Sequence, residues 1–231
     1  MKPYFVKTPR LIQNYFSDYT WNITTDKKEI YLTFDDGPIP EITPWVLNVL
    51  KEYQAKATFF CIGDNIKKYP QIFQQILKEN HSIGNHSFNH LNGWKTNPQM
   101  YLNNIEITEK VFKSETINKK RKNGNNEIHK QAINNQQLTT NLFRPPYGRI
   151  RSKQTRLLIK KGYQIIMWDI LSGDFDQNIS EEACYQNVIK NVQKGSIIVF
   201  HDSKKAFKKL DYALPKVLNY FTERGYTFKV L

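Results

Sequence analysis

Residues 30–38 read Ile-Tyr-Leu-Thr-Phe-Asp-Asp-Gly-Pro, and the architecture of the chain can be read outward from them. Ile30 to Phe34 is a short apolar, β-rich run bounded by a turn signal, as expected of a buried strand. Asp35 and Asp36 stand where the chain leaves that strand, just before Gly37-Pro38. Adjacent side chains of a regular strand point to opposite faces, but a turn lets neighbouring carboxylates approach one place from different directions. Asp and Gly are also ordinary turn formers. Two like charges this near a sheet's core repel unless a cation or an arginine compensates, which favours a metal over a bare turn.

The same kind of run recurs along the chain. Ala57 to Ile62, Ser82 to Gly84, Leu142 to Arg144, Gln164 to Trp168, Ser196 to Phe200 and Thr227 to Leu231 read as further strands, about seven in all with the first. Between them, Ile42 to Tyr53, Tyr69 to Glu79, Pro98 to Phe112, Ser152 to Lys161, Ser180 to Gln193 and Ala213 to Glu223 carry apolar residues at helical spacing. Strands alternating with helices imply a parallel α/β sheet, either doubly wound or rolled into a (β/α) barrel. Fewer than eight full units would leave such a barrel incomplete or distorted.

A length of 231 residues fits one domain spanning 1–231, and 39% hydrophobic residues with 13 Tyr, 14 Phe and 4 Trp can fill a large core. Residues 113–141, rich in Asn, Gln and Lys, read as an exposed insertion. A net charge of +13 biases the surface toward polyanions. Much of it lies in Lys119 to Lys122 and in Lys204, Lys205, Lys208 and Lys209, and solvated basic faces of this kind are commoner than nucleic-acid sites; no nucleic-acid partner is expected. Cys61 and Cys184 are far apart and read as buried free thiols. Met1 to Thr20 lacks the apolar stretch of a signal peptide and no later segment approaches a membrane span, which on sequence alone places the protein in the cytoplasm.

Chemistry gathers elsewhere too. His86 and His90 stand four residues apart, so that on a helical turn both imidazoles would share a face. With a strand-end Asp they offer two nitrogens and an oxygen, leaving positions for water and substrate. Such an open metal suits hydrolysis of an amide or ester, with the other Asp as base. Arg144-Pro145-Pro146-Tyr147-Gly148 offers a stiffened loop in which the Tyr147 N–H is free to donate to an oxyanion, and Arg144 is placed to pair with Asp35. His201 ends the strand Ile197 to Phe200, and Asp174 is placed to orient it and raise its pKa as an acid requires.

Five stretches, Thr33 to Pro38, His86 to His90, Arg144 to Gly148, Trp168 to Phe175 and Ile197 to His201, in this order over nearly the whole chain, resemble the motifs of the polysaccharide deacetylase family, carbohydrate esterases built on the NodB homology domain. The resemblance implies a distorted (β/α) barrel and one divalent metal, zinc foremost with cobalt or another divalent ion as alternatives, bound by Asp36, His86 and His90. It makes Asp35 the general base held by Arg144, gives the oxyanion the Tyr147 amide, and makes His201, tuned by Asp174, the acid. Trp168, Phe175 and Val199 join Tyr147 around the substrate, an N-acetylated glycan such as chitin or peptidoglycan.

The chain departs from the family's commonest pattern where Phe175 replaces a Trp, Val199 a Leu and Leu171 an Asp. The first two preserve an apolar wall of different shape. The expected activity is thus a metal-dependent N-deacetylase, expected as a monomer. Its substrates often lie outside the cytoplasm, which leaves an exported enzyme as the other location. A non-catalytic carbohydrate-binding module and a metal phosphoesterase are the competing classes. Acetate release separates the first from an enzyme, and strand cleavage would reveal the second.

Overall fold

The computed structural model describes residues 4–122 and 141–231. Nine strands occur among them: β1 (Tyr19–Thr20), β2 (Glu29–Asp35), β3 (Ala57–Cys61), β4 (Ser82–Asn85), β5 (Leu142–Phe143), β6 (Gln164–Ile166), β7 (Ile170–Leu171), β8 (Ile197–His201) and β9 (Thr227–Phe228). Eight run side by side in the order β1-β6-β5-β4-β3-β2-β8-β7, and β9 pairs with the start of β2. Every strand pairing is parallel. Among the described residues β1 and β7 do not pair with each other, so the barrel is open and distorted, as the resemblance implied.

The helices are α1 (Arg10–Tyr15), α2 (Ile42–Glu52), α3 (Gly63–Lys68), α4 (Pro70–Lys78), α5 (Pro98–Lys122), α6 (Ser152–Lys160), α7 (Glu181–Ile189) and α8 (Phe207–Thr222). None is long and apolar enough to cross a membrane. Strand periodicity decides what each residue faces. On β2, Ile30, Leu32 and Phe34 belong to the main core with Val46, Leu47 and Leu50 of α2 and Leu214, Val217 and Leu218 of α8. The alternate residue Tyr31 belongs to a second, smaller cluster with Phe60, Leu142, Ile166 and Ile197. Phe34 stacks on Phe59 of β3 at 5.1 Å and on Phe200 of β8 at 6.1 Å. Truncating so central a ring to Ala costs about 3–5 kcal/mol.

Several sequence expectations change. Helix α5 runs ten residues past Phe112, so the first part of the expected 113–141 insertion is helical; residues 123–140 lie outside the described residues. Helix α8 begins at Phe207, ahead of Ala213, and continues through Pro215. The strand expected over 164–168 ends at Ile166, which leaves Trp168 in the connection to β7. Lys209, read as part of a solvated basic face, is buried, whereas Lys204, Lys205 and Lys208 are exposed. Cys61 and Cys184 are free and buried.

Candidate active site

Parallel strands bring their C-terminal ends together at one face, where loops can build a site. Register does this here: Asp35 pairs with Phe60 on one side and with His201 on the other, and Cys61 pairs with Asn85. The last residues of β2 and β8 therefore lie side by side.

Asp35 and Asp36 part company because Asp36 adopts φ 83°, a left-handed conformation unusual for a non-glycine residue. Asp35 stays on the strand and is buried, its Oδ1 taking a hydrogen bond of 2.8 Å from Arg144. Burial alone would raise its pKa; the Arg144 guanidinium outweighs this, aided by His86 and His201, and holds the carboxyl below its ordinary value. Arg144 is itself wholly buried. Its remaining donors reach Thr33 Oγ1 at 2.6 Å, Ile166 O at 3.3 Å and Met167 O at 3.0 Å, and its guanidinium lies 4.1 Å from the Phe60 ring centroid. A buried arginine with four of its five donors engaged is a rigid counter-charge rather than the surface residue that a proline-stiffened loop would carry.

Asp36 turns toward the two histidines. Its Oδ1 lies 3.8 Å from His86 Nε2 and 3.3 Å from His90 Nε2, and one ligand atom from each of the three residues falls within 4.8 Å of the others. The histidines do not sit on a helical turn, contrary to the sequence expectation. His86 follows the end of β4, and left-handed Ser87 (φ 64°) and His90 (φ 55°) bend the loop back on itself. Asn104 of α5 holds that loop through the N–H groups of Phe88 (2.7 Å) and Asn89 (3.1 Å), and Asn85 Oδ1 takes the Ser87 N–H at 2.8 Å.

His86 Nδ1 is 2.8 Å from the Arg144 carbonyl, which fixes the tautomer with Nδ1 protonated and Nε2 bearing the lone pair. His90 Nδ1 lies 3.2 Å from the Tyr147 hydroxyl. Burial lowers the pKa of His86 to about 4 and also lowers that of His90, so both imidazoles are neutral at ordinary pH. Asp36 Oδ1 is a buried carboxylate oxygen with no hydrogen-bond partner among the described residues. An orphaned oxygen facing two imidazole nitrogens fits a divalent cation, and two nitrogens with one oxygen suit zinc-like ions.

His201 Nδ1 is 2.8 Å from Asp174 Oδ1, and its backbone N–H donates to Asp174 Oδ2 at 2.6 Å. Burial by itself lowers the imidazole pKa; the paired Asp174 overrides it and lifts the value to about 10. Phe175 meets the imidazole edge-on at 5.3 Å. Val199, two residues before His201 on β8, is buried and pairs with Leu171 and Thr33. Trp168, half-buried, has its ring centroid 5.9 Å from the Arg144 guanidinium. Tyr147, at φ 61°, is exposed, and its N–H makes no hydrogen bond among the described residues.

The structure thus brings together all eleven residues singled out from the sequence. Sequence reasoning missed the supports Thr33, Asn85 and Asn104, whose types carry no distinctive spacing signal. Asp202, next to His201 in the chain, is buried and bonded to the Gly37 N–H at 3.0 Å and to Thr43 Oγ1 at 2.5 Å. His81, beside the motif, is a core residue whose Nδ1 accepts the Ala57 N–H at 3.2 Å.

Known proteins share this arrangement of chain. A family model described as polysaccharide deacetylase matches residues 22–166. The chain is 33% identical over 210 residues to a peptidoglycan-N-acetylglucosamine deacetylase of Bacillus cereus, covering 90% of this chain and 89% of that protein. It is 32% identical over 223 residues to the peptidoglycan-N-acetylmuramic acid deacetylase PdaA of Bacillus subtilis, covering 95% and 75%. The crystal structure of the Bc1960 peptidoglycan N-acetylglucosamine deacetylase, in complex with 4-naphthalen-1-yl-N-oxidanyl-benzamide, superimposes with a TM-score of 0.80 at 30% identity, covering 97% of this chain and 95% of that one. With the family model spanning more than half of its length and relatives spanning nearly all of it, the chain belongs to the polysaccharide deacetylase family.

Proposed function

We propose that this protein hydrolyses the N-acetyl group of an N-acetylglucosamine-containing glycan, releasing acetate and leaving a free amino sugar, with zinc as its resident ion held by Asp36, His86 and His90. The observation that carries this reading is the division between neighbouring carboxylates: Asp35 is neutralised by Arg144 while Asp36 Oδ1 is left unpartnered before two histidine nitrogens. A divalent cation there supplies Lewis acidity, polarising the acetyl carbonyl and acidifying water.

The chain's own residues do the rest. Asp35, held ionised by Arg144, takes the proton of the attacking water. The Tyr147 N–H donates to the oxygen on which charge develops, in a loop already fixed in its left-handed conformation. His201, protonated because of Asp174, gives its proton to the departing nitrogen as the C–N bond breaks. Phe175 and Val199 supply an apolar wall beside that proton donor. The peptidoglycan and chitooligosaccharide deacetylases among the relatives support this substrate class.

The test is acetate release from N-acetylglucosamine oligomers by zinc- or cobalt-loaded protein. The wild type should release one acetate per amine formed, and Asp35→Asn should lose at least about a hundredfold in kcat. A loaded protein that releases no acetate from neutral or peptidoglycan-derived oligomers overturns the reading.

A further inference from the structure

Trp94 is one of the few large apolar side chains left open to solvent, at 55% exposed, and it lies four residues beyond His90. Its backbone is therefore within about 14 Å of that histidine's. Isolated exposed aromatics are ordinary. This one differs in how it is held. Its indole N–H donates to the Ile150 carbonyl at 3.1 Å, its backbone N–H to Asn92 Oδ1 at 3.0 Å, and its carbonyl takes the Arg151 guanidinium, with Nε at 3.0 Å. Buried Gln154 clasps the same turn through the carbonyls of Gly93 at 2.9 Å and Thr96 at 3.1 Å. A Cβ on Gly93 would come within 2.4 Å of the Arg149 carbonyl, so glycine is what permits this close approach.

Many contacts thus fix a ring that the core does not use. Arg149 brings cationic charge to it, its guanidinium 5.1 Å from the indole centroid, and Arg149 follows Tyr147 by two residues. Lys95, exposed on the same turn, adds a second positive charge. Two chain segments thus connect this turn to the site: Trp94 follows His90 by four residues, Arg149 follows Tyr147 by two, and the Tyr147 hydroxyl lies 3.2 Å from His90 Nδ1.

We propose that Trp94 and Arg149 form a glycan subsite beside the reacting sugar, taking a sugar ring against the indole and a carboxylate borne by that ring or its neighbour. The indole face opposite the Arg149 guanidinium suits the polarised C–H face of a pyranose, and the guanidinium itself suits a carboxylate. A ring already locked in place loses little freedom on binding. The substrate so selected is an acidic N-acetylated glycan longer than a disaccharide. This inference deepens the proposed deacetylase reading and rests on it for the placement of the reacting sugar.

The experiment compares N-acetylglucosamine disaccharide and hexasaccharide with hexasaccharides of which alternate rings carry an ether-linked lactate. The wild type should prefer hexasaccharide to disaccharide in kcat/KM, and Trp94→Ala should cut that ratio roughly five- to tenfold, with Trp94→Phe restoring part of it. Arg149→Gln should abolish the preference for the lactate-bearing hexasaccharide over the neutral one of equal length. Calorimetry of the same oligosaccharides on Asp35→Asn protein, with and without Trp94→Ala, reads binding without turnover. Weaker hexasaccharide binding with Trp94→Ala supports the subsite even if acetate release, and with it the deacetylase reading, fails. Unchanged length preference and unchanged hexasaccharide affinity with Trp94→Ala, in protein of wild-type melting temperature, overturn the subsite while leaving the deacetylase reading standing.

Discussion

Asp174 grips His201 at two points, its Oδ1 on the ring Nδ1 and its Oδ2 on the backbone N–H of the same residue. One buried carboxylate thereby sets both the orientation of the imidazole and its charge, leaving Nε2 as the nitrogen available to a substrate. Because a proton donor works below its pKa, the lift to about 10 keeps His201 protonated through neutral pH. Deacetylation should therefore fall on the alkaline side as His201 loses its proton. Asp174→Asn should move that alkaline limb to lower pH by more than about one unit and reduce kcat at neutral pH. The pH dependence of kcat and kcat/KM for the two proteins checks this; superimposable alkaline limbs would contradict it.

The Arg144–Asp35 pair predicts a stability effect that is separable from catalysis. Removing one partner of a buried pair leaves the other charge uncompensated, so Arg144→Ala should cost about 3–5 kcal/mol in denaturant unfolding. The sign with pH follows from Asp35. A carboxyl whose folded pKa is depressed adds stability that is present above its unfolded pKa and lost as pH falls through the lower folded value. Wild-type stability should thus decline on acidification below the ordinary carboxylate range. Asp35→Asn should remove that part of the acid dependence, which unfolding midpoints measured across acidic pH will read.

Tyr147 reaches His90 through its hydroxyl, while the group proposed for the oxyanion is its backbone N–H. Tyr147→Phe separates the two. It keeps the N–H and the ring but leaves His90 Nδ1 without its partner, and loss of such an outer contact typically weakens metal binding by about tenfold or more. Zinc titration calorimetry of metal-free protein should show that loss, and equal affinities would exclude a supporting role for the hydroxyl.

Much of the fold was legible because β2, β3, β4 and β8 are continuous buried runs, and period decides such cases. What escaped were elements too short to show a period, β1 and β7, and the six-residue helices α1 and α3. The start of α8 was expected at Ala213 and lies six residues earlier at Phe207, with Pro215 inside the helix as in the expected span. The site was legible as residue types: Asp36, His86 and His90 do converge. Their geometry was not, because the four-residue spacing of the histidines is achieved by left-handed turns at Ser87 and His90 rather than by a helix. Backbone conformations of that kind, clustered at Asp36, Ser87, His90 and Tyr147, leave no mark in a sequence free of glycine at those positions.

In the proposed reaction Asp35, His201 and a cation held by Asp36, His86 and His90 together remove acetyl groups from a glycan. Mass spectrometry of N-acetylglucosamine oligomers and muropeptides after incubation with the zinc-loaded protein tests it most directly. The wild type should remove one acetyl group, Asp35→Asn and His201→Ala little or none, and activity should be lost on chelation and return on adding zinc. Deacetylation by Asp35→Asn or His201→Ala at the wild-type rate, or none by any form of the protein, would contradict it.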